Sequence, residues 1–310
     1  MTINKSVKVF VVIVNWNRHQ DTLQCLKSLE KVVKNGFSLN VVVVDNGSIK
    51  KELSYIKSFN PHSYKYYVIE NQKNLGFATG NNKGINFSLK RGSDYLFLLN
   101  NDTTVDENSL VELLNASKKF KDAKIFTPKI YFSKGYEFKK NYKEKDLGRV
   151  IWSFGGSIDW NNVYATNKYV DLVDNGEFNK DFETDFATGA AMFVDSSLFE
   201  KYKGFDERYY LYLEDVDLCE KYKKDGGKIY AVSKAIVWHK VSQSSAIGSE
   251  LNDYFITRNR LLFALKYSPI RSKFALLRES KRLLISGRRW QKKGVLDFYL
   301  KNYYKGSWVE

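Results

Sequence analysis

The sequence predicts an α/β protein built on a mainly parallel sheet, and three observations predict it. Apolar runs without a polar break, "KVFVVIVNW" (8–16), "LNVVVVDNGS" (39–48) and "YLFLLNNDTTVD" (95–106), read as strands buried on both faces. Helical patterns alternate with these runs, as they do when helices cover a parallel sheet. Three of the runs end in Asn or Asp: Asn15 with Asn17, Asp45 with Asn46, and Asn100 with Asp102. Open sheets of this kind bind ligands beyond the carboxyl ends of their strands. One polar strand end is a turn, since Asn and Asp bond their own backbone; three on one rim point to a site.

The elements follow in order. After the first strand, "HQDTLQCLKSLEKVVKNG" (19–36) is an amphipathic helix that Gly36 stops. The second strand is followed by a helix-like stretch and by "YKYYVIEN" (64–71) as a third strand. "TGNNKGINFSLKRG" (79–92) reads as a helix ended by Gly92, and the strand from Tyr95 comes next. Residues 131–185 are polar and turn-rich, with "WSFGG" (152–156) and "DNGEFNKDF" (174–182), and read as small strands and loops over a cleft. The last 60 residues read as basic amphipathic helices, among them "YFITRNRLLFALKY" (254–267) and "FALLRESKRLLISG" (274–287). There is no internal repeat and no low-complexity segment.

A chain of 310 residues with 43% hydrophobic content holds one large domain, or one domain with an appendage. No apolar run reaches 18 residues and none at the N-terminus reads as a signal peptide, so neither a membrane span nor secretion is expected. The two cysteines, Cys25 and Cys219, have no CxxC spacing, which suits a reducing cytoplasm and excludes a cysteine-based zinc site. With three histidines, any metal site is built mostly from oxygen ligands. Of the net charge of +15, residues 251–310 carry +10, from 14 Lys/Arg against 4 Asp/Glu. So basic a tail seeks a polyanion or an anionic membrane surface. Helices that pack on the main domain or form a dimer contact are the other reading.

The usual nucleotide loops are missing. "NWNRHQ" after the first strand has no glycine, where GxGxxG needs it for the turn over a pyrophosphate, and no GxxxxGK[ST] occurs. A diphosphate bound here would need another counter-charge, such as a divalent cation held by Asp102.

With these segments in order, the chain resembles glycosyltransferase family 2, the inverting transferases of GT-A fold, and within it the bacterial rhamnosyltransferase-like enzymes of cell-surface polysaccharide synthesis. The resemblance is carried by "VVIVNWNR" (11–18), "VVVVDNGS" (41–48), "NLGFATGNN" (74–82), "FLLNNDT" (97–103), "TGAAMFV" (188–194), "GFDERYYLYLEDVDLC" (204–219), "AIVWH" (235–239) and "RNRLLF" (258–263). It implies a catalytic domain over 1–245, with a nucleotide-sugar half (1–130) and an acceptor half (131–245), and a helical tail over 246–310.

The resemblance also implies roles. Asp45 would bond the nucleotide base, with Asn15 and Asn17 beside it, and Asn74, Gly76 and Asn81 of "NLGFATGNN" would line the donor site. "NNDT" stands where the family has its DxD motif, placing Asn100 near the ribose and Asp102 on a Mn²⁺ or Mg²⁺ ion. The first acid of that motif is here an amide, with one charge fewer. His239 would be a further metal ligand; a lone His closing a strand is otherwise structural. The pair Glu214–Asp215 would supply the general base, with Asp215 preferred because it ends "YLYLED", where an apolar-aromatic stretch gives way to acids, while Glu214 diverges from it by about 100°. Acids at a helix N-terminus also answer the helix dipole, and both readings can hold. The donor would be a nucleotide-diphosphate sugar, dTDP-rhamnose first and UDP-hexoses next, and the acceptor a glycan or a lipid-linked molecule at the inner face of the cell membrane.

Two rivals differ in class. A nucleotide-sugar pyrophosphorylase would need a glycine-rich basic loop after the first strand. A nucleic-acid-binding protein would use the aromatic-dotted tail (Trp290, Tyr299, Tyr303, Tyr304), but leaves the acids on three strand ends without a purpose; no nucleic-acid partner is expected.

Overall fold

The computed structural model describes residues 6–139, 141–241 and 249–309. The chain opens with β1 (Val7–Asn15), α1 (His19–Glu30), β2 (Phe37–Asp45), α2 (Lys50–Ser58), β3 (Lys65–Glu70), α3 (Gly76–Leu89) and β4 (Tyr95–Asn100). Next come β5 (Thr103–Val105), α4 (Ser109–Lys119), β6 (Ala123–Phe132), β7 (Ile151–Ser153), β8 (Gly156–Asp159), β9 (Tyr164–Asn167) and β10 (Phe182–Glu183). The remainder is β11 (Ala191–Asp195), α5 (Ser196–Tyr202), α6 (Glu214–Lys224), β12 (Lys228–His239), α7 (Glu250–Tyr267), α8 (Ile270–Ser286) and α9 (Arg289–Tyr299).

The main sheet runs β10-β12-β6-β11-β4-β1-β2-β3, with β5 on β12 and β7 on β6; β8 and β9 form a separate hairpin. Strands β3, β2, β1 and β4 are parallel. β11 lies antiparallel between β4 and β6, and β12 is parallel to β6. The sheet is therefore mixed and mainly parallel, as the alternating pattern implied.

Period-two alternation explains the unbroken apolar runs. Phe10, Val12, Val42 and Val44 enter one core, while Val9, Val11, Ile13, Val41 and Val43 enter the other. α1 and α4 cover the second face through Leu26, Leu29, Leu110 and Leu113. α3, α5, α6 and α7 cover the first, through Ala78, Leu198, Leu218 and Leu261.

Two expected helices differ in extent. The first ends at Glu30, because Val33 turns its N–H to the carbonyl of Glu107 at 2.8 Å and leaves the helical path. α3 begins at Gly76, three residues before the expected start.

The reading of 254–267 as an amphipathic helix is corrected. α7 is buried over most of its circumference, including Arg258 and Asn259, both at 0% exposure. Leu261–Ala264 share a core with Phe10 and Val12 of β1. The boundary placed between 245 and 246 falls outside the described residues. No helix among the described residues is long and apolar enough to cross a membrane.

Candidate active site

Sheet register brings the strand ends together. Asn15 pairs with Asp45 across β1 and β2, and Asn100 pairs with Val14 across β4 and β1. The buried Asn15 amide donates to Asp45 Oδ1 at 2.8 Å and to Ser48 Oγ at 3.3 Å, while its carbonyl accepts from Thr22 Oγ1 at 2.7 Å. The other oxygen of Asp45 accepts the Ser48 N–H at 2.9 Å. Asn17, with φ of 52°, donates its N–H to Ser48 Oγ and accepts from the Ile49 N–H, both at 2.9 Å. Thus Asn15, Asn17 and Asp45 lock the loop after β1 to the loop after β2.

Asn46, noted at the rim but given no role by the sequence, extends this network. Its amide donates to Asn74 Oδ1 at 2.9 Å and to the Gly76 carbonyl at 3.0 Å. Gly76 has φ of +78°, and a Cβ there would lie 2.4 Å from the Tyr210 ring, so only glycine fits. Asn81 is buried and bonds the Phe77 carbonyl of its own helix at 2.9 Å.

The β4–β5 turn presents Asp102. β5 pairs with β12 so that Thr103 faces His239, which sets His239 Nε2 3.0 Å from Asp102 Oδ1. The imidazole is buried, lies edge-on to Trp152 at 4.5 Å, and leaves Nδ1 without a hydrogen-bond partner among the described residues. Asn101 turns away, donating to Thr22 Oγ1 at 3.0 Å. Two neighbouring ligands of an octahedral ion, each at about 2.1 Å, stand about 3.0 Å apart. Asp102 and His239 have that separation, which is equally that of a direct hydrogen bond between them. Among the described residues no group of three or more His, Cys, Asp or Glu could hold a metal. The pair therefore suits an ion whose remaining ligands come from substrate phosphates and water, as is common for Mg²⁺.

A second wall of the candidate site starts at α6. The residues leading into it hold positive φ: Tyr210, Tyr212 and Leu213 have φ of 64°, 68° and 69°. Bulky side chains rarely adopt this conformation, which costs roughly 1–3 kcal/mol each and persists only where the surroundings impose it. α7 does so. Asn259 Nδ2 donates to the carbonyls of Tyr209, Leu211 and Tyr212 at 3.0, 2.7 and 2.9 Å. Arg258 donates to the carbonyls of Arg208, Tyr209 and Tyr304. "RNR" was legible as a motif, but its job was not; the signal was two polar residues inside an apolar helical run.

Asp215 is partly buried. Its Oδ2 accepts the Gly189 N–H at 2.7 Å and its Oδ1 the Val216 N–H at 2.8 Å. Burial raises its pKa above the usual 3.8, with the backbone N–H bonds opposing. Glu214 is 3% exposed and its Oε2 has no partner among the described residues. Burial, then the charges of Asp215 and Asp217, push that carboxyl well above 4.5. Gly189 allows the approach, since a Cβ would press on the Phe77 ring at 3.1 Å and reach Asp215 Oδ2 at 3.4 Å. The next residue, Ala190, accepts the Asn100 N–H at 2.9 Å. One short turn, 188–190, therefore joins a strand end of the first wall to the carboxylate of the second.

The chain is similar to known proteins in sequence and in fold. The profile of the family described as "Glycosyl transferase family 2" matches residues 10–202. Rhamnosyltransferase WbbL of Escherichia coli K12 is 24% identical over 292 residues, covering 86% of this chain and 99% of its own. The N-acetylglucosaminyl-diphospho-decaprenol L-rhamnosyltransferase of Mycobacterium tuberculosis H37Rv is 24% identical over 216 residues, 65% of this chain and 67% of its own. In fold, the crystal structure of GalNAc-T7 with UDP, GalNAc and Mn²⁺ superposes with a TM-score of 0.58 at 17% identity, over 88% of this chain and 55% of that longer one. That likeness extends the GT-A sheet and its covering helices well beyond residue 202. With the profile spanning more than half its length, the chain belongs to glycosyl transferase family 2.

Proposed function

We propose that this glycosyltransferase moves a sugar from a nucleotide-diphosphate sugar to a glycan or lipid-linked acceptor of cell-surface polysaccharide synthesis, with inversion. The acceptor hydroxyl attacks the anomeric carbon, its proton passes to the Asp215 carboxylate, and the bond to the diphosphate breaks with its electron pair on the leaving nucleotide. The observation that carries this reading is the 188–190 turn, which links Asn100 to Asp215. Asp45, Asn15, Asn17, Asn74, Gly76 and Asn81 shape the donor wall, and Asn100 lies beside the ribose. Asp102 and His239 would hold Mn²⁺ or Mg²⁺, which when bound would supply counter-charge to the diphosphate.

dTDP-rhamnose is the first donor to test, supported by the two rhamnosyltransferase relatives; UDP-hexoses come second, supported by the UDP of the structural neighbour. The name of the mycobacterial relative favours a lipid-linked acceptor, and with it work at the inner face of the cell membrane. The deciding experiment is a calorimetric panel of nucleotide sugars with and without Mn²⁺. Saturable, metal-dependent binding of one donor is expected. Binding of none, or release of pyrophosphate from a nucleoside triphosphate and a sugar phosphate, contradicts the reading.

A further inference from the structure

The last helices use their cations in two ways. In α7, Arg258 and Arg260 are turned inward, and Lys266 pairs with Asp206 and Asp217. α8 is different. At 100° per residue, Arg271, Phe274, Ala275, Arg278, Lys281, Arg282 and Ile285 fall within an arc of about 120°. All seven are exposed, and no acid lies among them. None of the four cations has an ion-pair partner among the described residues. The one acid of α8, Glu279, lies on the flank of the helix, outside the arc, and holds Arg260 through both oxygens at 2.9 and 3.0 Å.

The inner side of the helix is fixed. Leu276 is buried, Ser272 Oγ donates to the Trp160 carbonyl at 2.6 Å, and Ser280 Oγ meets Tyr299 of α9 at 2.7 Å. The arc is thus a rigid outer face, with Phe274 at 62% and Ile285 at 80% exposure about 16 Å apart along the axis. Large apolar side chains held in water between unpaired cations are the composition of a helix that lies in a bilayer interface.

We propose that the outward face of α8 is the surface by which the protein lies on an anionic phospholipid bilayer. Charge complementarity selects this occupant. A second copy seated here about a two-fold axis would set four cations against four. A nucleic acid would answer the cations but leave Phe274 and Ile285 in water. The lipid surface answers both, headgroups to the guanidinium and ammonium groups and the acyl boundary to the two apolar side chains. The proposal deepens the lipid-linked reading of the acceptor and rests on it for its purpose, but its test does not use activity.

The full-length protein is sedimented with phosphatidylcholine vesicles, with and without phosphatidylglycerol. Binding only to the anionic vesicles, weakening as salt rises, is expected. Arg278→Glu with Arg282→Glu should lower the partition coefficient more than about tenfold. Phe274→Ser with Ile285→Ser should lower it while the salt dependence persists. Lys50→Glu with Lys51→Glu on α2, equal in net charge, should leave it unchanged; unaltered thermal midpoints show that each variant is folded. Equal loss in the α2 variant, equal binding to neutral vesicles, or no vesicle binding overturns the proposal. So does single-stranded RNA binding without vesicle binding, or a dimer that the Phe274/Ile285 variant dissociates. Donor binding without vesicle binding discards this surface and leaves the transferase reading; vesicle binding without donor binding does the reverse.

Discussion

On the strand-end wall, side chains answer one another: Asn15 bonds Asp45, Asn46 bonds Asn74, and Asp102 lies against His239. On the α6 wall, Glu214 and Asp215 have no cation beside them among the described residues. Asp215 is held by two backbone N–H groups, and Glu214 keeps an oxygen without a partner among those residues. The first wall is a mesh of amides and paired groups that fixes shape, which suits holding a donor. The second leaves two carboxyls to desolvation, which raises their pKa and suits taking a proton. Under the proposed function, binding and proton transfer fall to different walls, and substitutions can separate them.

Asp102→Ala strikes the first wall hardest. Turnover should fall at least about 10³-fold, with weakened donor binding in the presence of Mn²⁺. Full turnover in excess EDTA would contradict the assignment. Asn259→Ala should damage the second wall alone, since three carbonyls before α6 lose their donor. A fall in kcat of roughly 10²-fold is expected with donor affinity retained, as a small displacement of a base costs about that much. The acidic limb of the kcat–pH profile should move as well, which a mere loss of stability would not produce. His239→Ala should raise the metal concentration for half-maximal rate about tenfold, as loss of a metal-site partner does, with turnover restored at saturating metal. An unchanged requirement makes the histidine structural.

The smallest effect tests the electrostatics of the second wall. Glu214 has a folded-state pKa above its unfolded value of 4.5, so the folded protein binds more protons between the two. Wild-type stability therefore falls as pH rises through that window, and the cost persists above it. Glu214→Gln removes this cost. Its thermal midpoint should exceed the wild type's at pH 8 by a few degrees, with the gain vanishing as pH falls toward 4.5. A gain independent of pH would assign the effect to packing.

Much of the first wall was legible because a parallel strand buried on both faces writes itself as an unbroken apolar run, and its end as an abrupt polar cluster. β1, β2 and β4 show this within a residue or two. The antiparallel insertion of β11 was not legible from pattern, since direction leaves no mark on a buried strand. The nearness of Asp102 and His239 came only from family resemblance; spacing cannot show that β5 returns to pair with β12. The C-terminal helices were misread in part, because charge counts do not say which way a cation faces. α7 and α8 are both basic, yet Arg258 is fully buried and bonds the Tyr304 carbonyl at 2.7 Å. Removing the chain after residue 268 would therefore strip a partner from a buried guanidinium and disturb the loop before Asp215.

The most direct measurement of the central claim compares Asp215→Asn with Glu214→Gln, each assayed for turnover and for nucleotide binding. Asp215→Asn keeps shape and removes the proton acceptor, so turnover should fall roughly 10²–10⁴-fold while donor affinity stays close to wild type. Glu214→Gln should lose far less, because its carboxyl is turned into the core. If Asp215→Asn turns over normally and Glu214→Gln is inactive, the base has been assigned to the wrong acid and the division of labour between the walls fails with it.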